Sequence, residues 1–239
     1  DQVFVGVGSD DVIAMSFLTF FNSEKPILFP DISYSFYKVW AELFQIPFET
    51  PALDENFVLR PEDYLRENGG IIFPNPNAPT GLLLSLDEVE KIVRSNQDSI
   101  VIVDEAYIDF GGQSCVPLTA EYDNLLVVQT FSKSRSMAGA RLGFAIADQG
   151  LIEDLNRIKY STNPYNINRL TMAAAQVAVE ENGYYMEKCR EIQKTRQYTQ
   201  EQLESLDFEV IPSLANFVFA KSRRIGGENL YLQLKERGV

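Results

Sequence analysis

Apolar residues in this chain gather into short blocks that stop abruptly at small or polar residues, and between the blocks the spacing changes to that of helices. Ile71-Ile72-Phe73, Ile100-Val101-Ile102-Val103 and Leu125 to Val128 are continuous apolar runs, too short for helices and typical of strands covered on both faces. Val3 to Val7, Pro26 to Pro30 and Phe144 to Ala147 pattern as further strands. Helical spacing predicts one helix opened by Gly8-Ser9-Asp10-Asp11, with Ser9 as its N-cap, and others ending at Leu43, spanning residues 151–160 and spanning residues 169–180. Ser85-Leu86-Asp87-Glu88 forms a capping box for a helix to Arg94, with Leu84 and Val89 as its hydrophobic staple. Past residue 182 the alternation gives way to a long charged helix (183–206), two strands (208–211 and 216–220) and a helix (228–236). The pattern predicts an α/β protein with a large domain over 1–182 and a partial α+β small domain over 183–239.

Composition narrows the chemistry. The chain has 239 residues, 45% of them hydrophobic, enough for a sizeable core. Its net charge is −13 and no Lys/Arg cluster tracks a phosphate backbone, so nucleic acid is not expected as partner; no apolar run approaches a membrane span, so a membrane is not expected either. The two cysteines, Cys115 and Cys189, lack metal-ligand spacing and suit reduced thiols in the cytoplasm. Histidine is absent, which excludes a Ser-His-Asp triad, a Cys-His pair and His-based zinc; no metal is expected, and acid-base work falls to Lys, Tyr, Asp or Glu. Strand-like residues at the start and Lys235-Glu236-Arg237-Gly238-Val239 at the end read as cuts through structure.

Candidate chemistry lies where the apolar blocks end. Ser132 and Lys133 follow the Leu125 block, with Arg141 in a Gly-rich turn beyond; open α/β sheets place ligands at that edge. Asp104 follows a buried strand directly and requires a cationic or N–H partner. Tyr107 lies three residues on. Pro74-Asn75-Pro76-Asn77-Ala78-Pro79-Thr80-Gly81 is a turn stiffened by three prolines, suited to presenting a side chain or simply to turning. The first turn of the helix at Ser9 and Asp10 is an anion site or only a capped core helix. Tyr34 is placed to stack on a flat ring or to pack. A lysine amine, a carboxylate, a phenol, an amide and an arginine with hydroxyls are together what a pyridoxal phosphate site requires.

The motifs Asn77-Ala78-Pro79-Thr80-Gly81, Val103-Asp104-Glu105-Ala106-Tyr107 and Phe131-Ser132-Lys133-Ser134, with Gly139-Ala140-Arg141-Leu142-Gly143, resemble those of the class II, fold-type-I aminotransferases, most closely the histidinol-phosphate branch. The resemblance implies a three-layer large domain with a mostly parallel sheet. It implies pyridoxal 5′-phosphate as cofactor, amino acids and keto acids as small-molecule substrates, a homodimer and ping-pong transamination in histidine biosynthesis. Carried over, Lys133 resembles the cofactor-linking lysine and catalytic base, Asp104 the partner of the pyridine nitrogen and Tyr107 the donor to the ring oxygen. Ser132, Arg141, and Ser9 and Asp10 through backbone N–H, resemble the phosphate contacts; Tyr34 resembles the stacking aromatic. Many relatives carry asparagine where Ala78 stands, leaving Asn77 as the expected amide contact. The same core serves aromatic-amino-acid aminotransferases and threonine-phosphate decarboxylases, and a non-catalytic remnant would keep the fold. The family's amino-terminal arm and the substrate-binding arginine of its carboxyl-terminal end have no counterpart in these residues.

Overall fold

Each apolar run divides its side chains between the two faces of one sheet, which is why it contains no polar positions. Ile72, Ile102, Leu126 and Val128 face one core, shared with Val12, Ile13 and Phe17 from one helix and Ile152 and Leu155 from another. Ile71, Phe73, Val101, Val103, Leu125 and Val127 face a second core, closed by Val89, Ile92 and Val93. Fully burying a side chain such as Phe73 contributes about 1.5–3 kcal/mol; the first core reaches across the sheet from Phe4 to Phe48, and the second lies under the strands that carry Leu28, Phe73, Val103 and Val127.

The computed structural model describes residues 2–239. In chain order the elements are β1 (Val3–Gly6), α1 (Ser9–Phe20), β2 (Ile27–Leu28), α2 (Phe36–Leu43), β3 (Phe48–Glu49), β4 (Ile71–Pro74), α3 (Leu86–Ser95), β5 (Val101–Asp104), β6 (Leu125–Thr130), β7 (Gly143–Ala147), α4 (Gln149–Thr162), α5 (Arg169–Glu180), α6 (Asn182–Ser205), β8 (Phe208–Ile211), β9 (Phe219–Ser222) and α7 (Gly227–Glu236). The first seven strands form one sheet in the order β1-β7-β6-β5-β4-β2-β3. β7 runs antiparallel to both its neighbours, and the other pairings are parallel. Helices α1, α2 and α4 cover one face and α3 the other, giving three layers. β8 and β9 form a separate antiparallel pair, against which α6 packs.

The capping box is present: Ser85 Oγ accepts from the Glu88 N–H, while Glu88 accepts from the Ser85 N–H at 2.8 Å. The start of α1 differs from expectation. Gly8, not Ser9, occupies the cap, no side chain caps the helix, and Ser9 is already helical. The reason is steric. Gly8 has φ 87°, and a Cβ there would collide with the Arg141 guanidinium. β9 also begins later than expected, at Phe219, because Phe217 turns toward Tyr107 and meets its ring edge to face at 5.0 Å. β3 had no clear apolar signature and was not expected; it is a two-residue edge pairing.

Candidate active site

Six connections deliver residues to one edge of the sheet. The parallel strands β1, β6, β5, β4 and β2 release the chain there, so Ser9, Lys133, Asp104, Pro74 and Tyr34 arrive from their carboxyl ends. β7 runs the other way, so Arg141 reaches the same edge from the residues before it. A cavity of about 160 Å³ lies among them, lined by Ser9, Asp10, Tyr34, Asp104, Tyr107, Ser132, Lys133 and Arg141, with Pro74, Ala78, Ala106 and Ala138. Eight of the nine sequence candidates therefore meet. The ninth, Asn77, does not line the cavity: its Nδ2 donates to the Ile32 carbonyl and to Thr80 Oγ1, both at 3.0 Å, and its Oδ1 is buried without a partner. The amide expected at the cavity is thus directed into the turn, and Ala78 takes the wall position.

Lys133 projects from a closed turn. Ser136 N–H donates to the Lys133 carbonyl, Met137 N–H to Phe131 and Ser134 Oγ to Asp109, so the backbone around the lysine is held on both sides. Its Nζ lies 5.1 Å from the centre of the Tyr107 ring. Among the described residues no carboxylate pairs with it. Asp104, at the end of β5, is 5% exposed. Its Oδ2 accepts from the Tyr37 hydroxyl at 2.8 Å and its Oδ1 from the Ala106 N–H at 3.1 Å. Burial drives its carboxyl up from the ordinary aspartate range to about 6, with those hydrogen bonds opposing the shift.

The anion end is built from backbone. Arg141 adopts a left-handed conformation (φ 54°), an uncommon choice for a side-chain-bearing residue, costing about 1–2 kcal/mol. Its guanidinium thereby reaches Ser132 Oγ at 3.4 Å and Asp10 Oδ2 at 3.7 Å. A Cβ on Gly143 would strike the Gly8 and Ser9 backbone, so two glycines let the first turn of α1, its N–H groups unfilled by any cap, sit against the arginine. Tyr34 donates its phenol to Asp10 Oδ1 at 2.8 Å, and burial beside that carboxylate pushes its own ionisation up.

Sequence reasoning missed residues that hold this edge. Tyr37 binds Asp104; its signal was only the repeat of an aromatic three positions after Tyr34. Glu105 is buried and accepts from Ser114 Oγ, the Cys115 N–H and Gln129 Nε2, locking the turn after β5 to β6. Arg196 on α6 donates to the carbonyls of Phe110 and Ala215, setting the segment that carries Phe217 beside Tyr107.

A mostly parallel sheet with an amine, a buried carboxylate and a guanidinium around one cavity at its carboxyl edge defines a fold-type-I α/β enzyme core. The chain belongs to the class I and II aminotransferase family, whose model matches residues 1–237. It is 51% identical over 239 residues to the histidinol-phosphate aminotransferase of Clostridium beijerinckii, covering 100% of this chain and 67% of that protein. The crystal structure of the histidinol-phosphate aminotransferase from Clostridium acetobutylicum superposes with a TM-score of 0.89 at 29% identity, over 99% of this chain and 72% of that one. That of the Sinorhizobium meliloti histidinol-phosphate aminotransferase in complex with pyridoxal-5′-phosphate gives 0.85 at 19% identity, over 93% and 62%, a likeness of fold. The chain thus spans about two thirds of the length of its curated relative.

The residues present fit that cofactor. Asp104 is a buried carboxylate to which, among the described residues, no protein cation is bonded, leaving it free to pair with a protonated ring nitrogen. Arg141, Ser132 and the uncapped first turn of α1 at Ser9 and Asp10, all lining the cavity, have the donor set of a phosphate site.

Proposed function

We propose that this chain is the cofactor-binding core of a histidinol-phosphate aminotransferase, exchanging an amino group between the histidinol phosphate/imidazole-acetol phosphate pair and the glutamate/2-oxoglutarate pair in histidine biosynthesis. The observation that carries the reading is the meeting of Lys133, Asp104 and Arg141 at one cavity; the identity to curated relatives over the whole chain supports the substrate. When bound, pyridoxal 5′-phosphate supplies an aldehyde for attachment and an electron-accepting ring.

The chain's own groups do the rest. Lys133 would supply the amine that attaches the cofactor and the base that moves a proton at the substrate carbon. Asp104 would hold the cofactor at its ring nitrogen, keeping a proton there, and Tyr107 would offer its phenol to the ring oxygen. Ser132, Arg141 and the N–H groups of Ser9 and Asp10 would hold the phosphate, and Tyr34 would pack against the ring. Asn77 acts by stiffening the turn that presents Ala78.

The same reading divides the chain into a large domain over 1–182 and part of a small domain over 183–239. It makes the protein a homodimer, in keeping with an apolar groove of about 740 Å³ bordered by Val3, Phe144, Ile167 and Met172 and with exposed Leu170, Val177 and Val179 on α5. A cytoplasmic location suits its two buried free thiols. No described helix is long and apolar enough to cross a membrane. The test is a substrate panel on the full-length protein. Histidinol phosphate should convert the bound cofactor to its amine form faster than phenylalanine, and threonine phosphate should release no carbon dioxide; the reverse order would defeat the assignment.

A further inference from the structure

Two tyrosines three residues apart, at the entry to α2, each give a phenol to a different carboxylate of the cavity. Tyr34 donates to Asp10 and Tyr37 to Asp104, each at 2.8 Å, and the two rings meet edge to face at 5.6 Å. Tyr37 is fully buried in the core beneath the site, edge to face with Phe29 at 6.1 Å. Its ring is core packing that a phenylalanine would reproduce. Among the described residues its hydroxyl has one hydrogen-bond partner, the carboxylate.

We propose that Tyr37 is a positioning residue for the reaction: its phenol, donated to Asp104 Oδ2, holds that carboxyl in its ionised form, ready to pair with the protonated ring nitrogen of the cofactor. The proposal rests on the cofactor reading above. The groups facing Asp104 explain why such a donor is needed. Tyr37 comes from α2 and Tyr34 from the loop before it, Asp10 from α1, and Glu105 and Tyr107 from the following turn; Lys133 and Arg141 line the same cavity. Burial, Asp10 and Glu105 all favour a protonated Asp104. Against them stand the Tyr37 hydroxyl and the Ala106 N–H, and the hydroxyl is the side-chain contribution. A hydrogen bond to a charged group is strong enough that its loss shifts the ionisation equilibrium by about tenfold.

The test uses Tyr37→Phe in the full-length protein, with Asp104→Asn as reference. In the cofactor-free protein, carboxylate infrared difference spectra against D104N follow the ionisation of Asp104; its midpoint should rise by about one pH unit in the variant. In titrations with pyridoxal 5′-phosphate, affinity should fall about fivefold at pH 6 and stay unchanged at pH 8.5, because only at the lower pH must the variant's carboxyl lose a proton to bind. In the D104N background the pH-dependent loss should vanish. An unmoved midpoint, or an equal loss of affinity at both pH values, would mark Tyr37 as packing alone and overturn the proposal. Should the variant not fold, 3,5-difluorotyrosine at position 37, a stronger donor, should move the midpoint down; no movement is again contradictory. A wild-type protein that binds no pyridoxal 5′-phosphate overturns the proposed function, whereas the cofactor-free titration reports on Tyr37 and Asp104 separately.

Discussion

At the scale of single residues the site is a set of charges, each held by a different device. Lys133 is held by the turn beneath it, Asp104 by burial and two hydrogen bonds, and Arg141 by a left-handed backbone. Arg141→Lys keeps the charge but loses the planar fork that reaches Ser132 and Asp10 together, so pyridoxal 5′-phosphate affinity, read by spectral titration, should fall about tenfold or more. Asp104 gives a prediction whose sign follows from linkage. Its folded ionisation near 6 lies above the ordinary aspartate range, so the stability of the cofactor-free protein is greatest with the carboxyl neutral and is lost as pH rises through about 6. Asp104→Asn should therefore stabilise the cofactor-free protein at pH 8 by up to about 3 kcal/mol in urea unfolding, and by nearly nothing near pH 4. Lys133, Asp104, Tyr107 and Arg141 were legible in the sequence because each follows or precedes an apolar block. Tyr37 was not, since a buried tyrosine on an amphipathic helix has the same pattern whether or not its hydroxyl is used.

At the scale of elements, the strands and most helices follow from periodicity. α5 and β8 fall where the spacing puts them, and the capping box fixes the start of α3. Ser85→Ala should cost about 1 kcal/mol in unfolding free energy and leave cofactor affinity unchanged, because α3 lies on the face away from α1 and α2, which bring Asp10 to the cavity wall and Tyr37 to Asp104. The entry to α1 was misread. Ser9 has the composition of a cap, but Gly8 takes the cap position at φ 87°, a backbone conformation that favours glycine, and no side chain caps the first turn's N–H groups. Gly143→Ala tests the close approach of β7 to that turn: its Cβ would force Gly8 and Ser9 away from the arginine, and cofactor affinity should fall while β7 remains folded by circular dichroism. The short β3 and the direction of β7 carry no local signature; pairing across the sheet decides both.

At the scale of the molecule, sheet order turns separate sequence motifs into one site. β5 and β6 are neighbours, β7 lies beside β6 and β1 beside β7, so the carboxylate, lysine, arginine and helix amides line up along a single edge in that order. Reversing β7 relative to the rest is what brings Arg141 to the edge at all. The segment carrying Phe217, tied by Arg196 to the turn after β5, joins the carboxyl-terminal part of the chain to Tyr107. The most direct test of this convergence is borohydride reduction of the pyridoxal-phosphate-loaded protein followed by peptide mass mapping. The cofactor mass should be fixed on the peptide containing Lys133, and Lys133→Ala should abolish both the label and at least about a hundredfold of transamination rate. A label on any other lysine, or none on a loaded protein, would contradict the account.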